Sequence, residues 1–177
     1  MPKEALLVID MLKDFVLPGA PLEVPDTRKI IPVIKKEIER ARTNNYPVIY
    51  ICDRHEPDDK EFRKFGWPPH AVRGSSGADV VDELRPQEGD LIVEKNTYDG
   101  FYKTRLEDIL RANGVESLRL TGCVTNICVL FTASSAVLRD FKVIVIEDGV
   151  AGLNTDDHIA ALRNMKNVLG VNIQKGG

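Results

Sequence analysis

A thiol, a carboxylate and an ammonium stand at corresponding places in this sequence. Asp10 follows the apolar run Ala5–Ile9, and Lys95 lies just beyond Leu91–Val93. Cys128 closes the segment Gly122-Cys123-Val124-Thr125-Asn126-Ile127-Cys128, which follows Leu118–Leu120. Short apolar runs of this kind read as buried strands, and in open α/β sheets ligands bind beyond the carboxyl ends of the strands. The three groups are therefore expected to converge. Cys128 precedes a run from Val129 to Leu138 that reads as a helix. At a helix N-terminus the macrodipole and unpaired N–H groups lower a thiol pKa from about 8.5 and can hold an oxyanion. Asp10 can take the thiol proton and return it to a leaving amine. Lys95, at the end of a buried strand, requires a neighbouring anion. Singly, each residue also has a plain structural reading: a small buried cysteine, a wet strand-end lysine, an aspartate capping a turn. Their coincidence at three strand ends favours nucleophilic catalysis.

A second constellation lies beside the first. Asp53 and His55, two positions apart, follow the run Val48–Ile51, and His70 comes later in Trp67-Pro68-Pro69-His70. A carboxylate and two imidazoles suit zinc or another divalent transition metal, with positions left for water or substrate. Either histidine taken alone can equally be a loop residue that caps or hydrogen-bonds. Phe15 and Trp67 can wall a flat apolar pocket or simply pack a lid.

The elements that must position these groups are legible from periodicity. Ala5–Ile9, Val48–Ile51, Leu91–Val93, Leu118–Leu120 and Val143–Ile146 are too short for helices and read as strands, with Val171–Ile173 closing the sheet. Ile30, Ile34, Ile38 and Ala41 recur at helical spacing, and Pro32 implies that this helix begins only shortly before it. Thr104 and Glu107 form a capping-box pattern ahead of Leu106, Ile109 and Leu110, with Asn113-Gly114 as the stop. A last helix starts near Asn154 or Thr155 and turns Leu162, Met165 and Leu169 inward. Strands alternating with helices predict a three-layer α/β/α domain around a mainly parallel sheet. The polar segment 53–76 is long for a compact domain, and such loops usually carry function.

Bulk properties narrow the partners. The 177 residues, 43% of them hydrophobic, suffice for one core, so a single domain spanning 1–177 is expected. Net charge is −3 and the 24 basic residues are dispersed, which leaves no footprint for nucleic acid or an anionic membrane. Three cysteines without CxxC spacing, and no leader or membrane-length segment, suit a reducing cytoplasmic setting. The expected partner is a small molecule.

The ordered motifs resemble the isochorismatase-like cysteine hydrolases, which include nicotinamidases and N-carbamoylsarcosine amidases. Val8-Ile9-Asp10-Met11-Leu12-Lys13-Asp14-Phe15 is similar to the D-x-Q-x-D-F segment of that family, Lys95 falls at its strand end, and Gly122–Cys128 resembles G-V-x-T-x-x-C. The resemblance implies Cys128 as nucleophile, Asp10 as proton carrier and Lys95 as the stabilising cation. It further implies a cis peptide between Cys123 and Val124, with the N–H groups of Val124 and Cys128 as the oxyanion hole. Asp53, His55 and His70 match the metal site of nicotinamidases, where Glu61 is a candidate fourth ligand, and Phe15 and Trp67 match residues flanking the substrate ring. The implied protein is a homo-oligomer, dimer or tetramer, acting on a small amide, nicotinamide foremost. Leu12 replaces the usual glutamine, Asn126 a frequent acid and Ala71 a frequent cysteine; the first two positions border the pocket in the family. N-carbamoyl or ureido substrates and isochorismatase chemistry are the enzymatic alternatives, and a flavodoxin- or receiver-like binding module the non-enzymatic one.

Overall fold

The computed structural model describes residues 3–177. Six strands form one sheet: β1 (Lys3–Ile9), β2 (Val48–Asp53), β3 (Leu91–Lys95), β4 (Val115–Cys123), β5 (Lys142–Ala151) and β6 (Asn172–Gln174). Their order is β3-β2-β1-β4-β5-β6 and every pairing is parallel. Burial on both faces is why the strands read as continuous apolar runs rather than alternating ones. Leu6, Val8 and Tyr50 face α2 (Thr27–Thr43), which presents Ile30, Ile34 and Ile38 to them. Leu7, Ile9 and Ile51 face the other way, toward Leu106 and Leu110 of α4 (Leu106–Ala112), Ala133 of α5 (Leu130–Val137) and Met165 of α6 (Thr155–Leu169). This is the three-layer α/β/α arrangement expected from the sequence.

Two features of the helices depart from the sequence reading. Helix α2 begins at Thr27, five residues before Pro32, so the proline lies inside it. Pro32 has no N–H to give the Arg28 carbonyl, but the apolar face of Ile30, Ile31 and Ile34 is buried from the first turn onward, and burial outweighs one missing bond. The capping box does not close. Thr104 Oγ1 accepts the Leu106 N–H at 3.2 Å, but Glu107 turns away to pair with Arg139 at 2.9 Å, because an arginine across the surface offers a better partner than a backbone amide.

The sheet reverses its winding between β1 and β4, the place where open α/β sheets bind ligands. There Gly122 has φ +109, and a Cβ on it would stand 2.0 Å from the Ile9 carbonyl oxygen. Only glycine lets β4 approach β1 this closely. The segment 53–76 folds back over these strand ends and contains the short helix α3 (Lys60–Phe65). No helix of the described residues is long and apolar enough to cross a membrane, and all three cysteines are free and buried.

Candidate active site

Register brings the reactive groups together. Asp53 and Lys95 are the last residues of β2 and β3 and face each other in the ladder, while Asp10 follows β1 and gives its N–H to the Ile51 carbonyl at 2.8 Å. Asp10 takes φ +50, an uncommon conformation for a non-glycine residue, and its Oδ1 accepts the Asp53 N–H at 2.8 Å. Lys95, its side chain fully buried, places Nζ 2.8 Å from Asp10 Oδ2 and 3.5 Å from Cys128 Sγ, and it also donates to Asp53 Oδ1. The anion that a buried ammonium requires is thus supplied twice over. Although burial opposes its charge, Asp10 and Asp53 hold the Lys95 pKa well above its ordinary value.

Cys128 lies in a π-helical turn, Thr125–Val129, that runs into α5. The sequence reading placed it at a plain helix N-terminus with a lowered pKa. Instead burial pushes the thiol well above its ordinary value; Lys95 works against this, and Asp10 and Asp53 add to it. Burial is the main cause, and the two carboxylates add to it because ligand atoms of Asp10, Asp53 and Cys128 all lie within 4.8 Å of one another. Asp10 is itself raised to about 6, by burial first and by Asp53 second. A carboxylate so placed is ionised at neutral pH yet more basic than an exposed one, which suits proton transfer. The Cys123–Val124 peptide is cis. Asp10, Asp53 and Cys128 could in principle hold a cation, but the Lys95 ammonium already sits against all three.

The second triplet is different. Asp53, His55 and His70 are buried and also bring one ligand atom each within 4.8 Å of the others. His55 Nδ1 bonds Asp59 at 3.0 Å and His70 Nδ1 bonds the Pro68 carbonyl at 2.8 Å, which turns both Nε2 atoms toward Asp53 Oδ2, at 3.7 and 3.9 Å. His55 Nε2 is buried and has no hydrogen-bond partner. A buried imidazole nitrogen without a partner, beside a carboxylate and a second imidazole, fits a divalent metal, and the Asp59–His55 bond is the outer support such ligands ordinarily have. Asp53 joins the two constellations: Oδ1 takes Lys95, and Oδ2 faces the histidines. Glu61 is buried and faces the same region without joining the triplet.

A small apolar cavity, partly open to solvent, lies beside Cys128. Phe15 and Trp67 line it as expected from sequence, with Tyr98, Val124, Glu61 and His70. Trp67 donates to Tyr98 Oη at 3.1 Å, and the Phe15 ring centre is 5.4 Å from that of His70. Leu12 and Asn126 do not line this cavity: Leu12 is fully buried in the sheet-side core. Sequence reasoning missed Tyr98 and Asp59. Tyr98 carries no local signal, whereas Asp59, ahead of Lys60-Glu61-Phe62, has the pattern of an N-cap, and its Oδ1 indeed accepts the Glu61 N–H at 2.9 Å.

Comparison with known proteins places this geometry. An N-carbamoylsarcosine amidase from Thermoplasma acidophilum is 38% identical, with a TM-score of 0.89 over 98% of this chain and 96% of that one. The pyrazinamidase of Pyrococcus horikoshii, solved in complex with zinc, is 35% identical, with a TM-score of 0.92 over 98% and 99% of the two chains. A probable inactive nicotinamidase of Arabidopsis thaliana is 32% identical over 93% of this chain and 88% of its own length. The isochorismatase domain family matches residues 4–174, and the chain belongs to that family of hydrolases.

Proposed function

We propose that this protein is an amidohydrolase of nicotinamidase type, cleaving a small uncharged aromatic amide through a thioester on Cys128. The observation that carries the reading is the meeting of Cys128 with Lys95 and Asp10 behind the wall of an aromatic-lined cavity, of which Cys128 alone among the three forms part of the lining. As the thiol attacks the amide carbon, its proton passes to Asp10; Lys95 steadies the sulfur's developing charge, and the N–H groups of Val124 and Cys128 receive the oxyanion. Asp10 then protonates the departing ammonia. In the second half of the reaction it takes a proton from water, which attacks the thioester, and returns that proton to the departing Cys128 sulfur as the C–S bond breaks and the acid is released. Because the thiol is held protonated in the free site, nucleophile formation and attack are coupled. Asp53, His55 and His70 would hold a divalent transition metal such as zinc, which supplies a Lewis-acidic contact for a substrate lone pair.

Among the described residues lining the cavity there is no lysine or arginine, whereas Glu61 is present. Ureido acids and isochorismate carry carboxylates that would find no cationic side chain on this wall beside Glu61, only the metal position already faced by the Asp53 carboxylate, and burying a poorly paired charge is costly. An uncharged ring against Phe15, Trp67 and Tyr98 has no such penalty. The test is ammonia release by the purified protein from nicotinamide, pyrazinamide, N-carbamoyl amino acids and ureides. Hydrolysis of the first two, abolished by Cys128→Ala in a folded variant, is the expected result. Near-parental turnover by Cys128→Ala refutes the mechanism, and a preference for the carboxylate-bearing compounds refutes the substrate class.

A further inference from the structure

Asp14 belongs to the opening motif but takes no part in the chemistry just described. It lies in the four-residue helix α1 (Lys13–Val16), next to the pocket residue Phe15. Its Oδ2 accepts the N–H of Ala71 at 2.8 Å. That N–H belongs to the peptide that joins His70 to Ala71, and Ala71 is held at φ +46, in the left-handed region that an alanine seldom occupies. The same residue's carbonyl accepts the His55 N–H at 3.0 Å. One side of Ala71 is therefore tied to Asp14 and the other to His55, with His70 directly attached. Room for the Asp14 carboxylate exists only because residue 77 is glycine: a Cβ there would lie 2.1 Å from Asp14 Oδ1.

We infer that Asp14 is a positioning residue for the metal ligand His70, holding the strained His70–Ala71 peptide so that the imidazole meets Asp53 and His55. This rests on the metal site of the proposed function. Without the carboxylate, Ala71 relaxes toward ordinary negative φ and the His70 ring swings out of reach of Asp53 Oδ2. Asp14 acts through the backbone, which separates its role from that of Asp59, whose carboxylate touches an imidazole directly.

The test measures zinc and cobalt affinity of the purified full chain by competition with a chromogenic chelator, alongside far-UV circular dichroism. Asp14→Ala is expected to lose about 10–100-fold in affinity, the usual effect of removing an outer support. Asp14→Asn, which keeps an acceptor oxygen, should recover most of it. Asp14→Ala combined with Ala71→Gly should recover part, because glycine adopts positive φ unaided. Gly77→Ala displaces the carboxylate while leaving Asp14 in the sequence, and should reproduce the loss even if Asp14→Ala fails to fold. Parental metal affinity in folded Asp14→Ala or Gly77→Ala overturns this inference alone. A parent chain that takes up no metal overturns the metal reading and this inference with it.

Discussion

Replacing Lys95 by methionine keeps the length of the side chain and removes its charge, which isolates what the ammonium does. Its Nζ is 2.8 Å from Asp10 Oδ2. At an effective dielectric of 20 that attraction is about 6 kcal/mol, or about four pK units. Asp10, already raised to about 6 by burial and by Asp53, would move to about 10. The sign follows directly. A carboxyl that must be ionised to accept the thiol proton works above its pKa and fails below it, so the parent enzyme loses kcat/KM as pH falls through about 6. In Lys95→Met about one Asp10 in a thousand is ionised at pH 7, so kcat/KM for ammonia release should fall about 1000-fold, and the residue should climb toward pH 10 without a plateau. The pH dependence of Cys128 alkylation by iodoacetamide should shift with it. An acid limb that stays near 6, with neutral-pH turnover within about tenfold of the parent, would refute the electrostatic account.

Three further outcomes follow from the same geometry. Asp59→Asn keeps an acceptor for the Glu61 N–H but cannot accept from His55 with a charge, so stability should stay within about 0.5 kcal/mol while metal affinity falls about tenfold; equal losses in both would count against it. Gly122→Ala drives a Cβ against the Ile9 carbonyl and should cost about 3 kcal/mol or more by urea unfolding, with turnover reduced even where the variant folds; a neutral effect would show that β1 and β4 can part. Glu37 makes a buried bidentate pair with Arg119, at 2.5 and 3.0 Å, tying α2 to β4. Glu37→Ala should therefore destabilise by about 3–5 kcal/mol without altering kcat of the remaining folded enzyme; destabilisation below about 1 kcal/mol would mean that water already satisfies the guanidinium.

What local pattern encodes was readable without coordinates. Runs such as Ala5–Ile9 and Val143–Ile146 announce buried parallel strands because both faces are covered. Strand ends mark where a site must lie, so Asp10, Asp53, Lys95 and Cys128 could be named from position and chemistry. Phe15, Trp67, His55 and His70 came with them, partly from the family's motif order. The segment 53–76 was visible as unusual, although not how its Asp59 and Ala71 serve the histidines.

Tertiary structure decided everything that depends on distance through space. Asp53 sends one oxygen to Lys95 and the other toward two imidazoles, a division that no spacing in the chain reveals. The thiol's pKa reverses direction because burial and two carboxylates outweigh the local effect of the turn that carries it. Pro32 sits inside a helix, and Glu107 leaves its cap for Arg139, because packing and partners brought in from elsewhere override local propensity. Hydrophobic periodicity reports which face of an element is dry. Electrostatic free energy depends on separation and on burial, and both are properties of the folded chain alone.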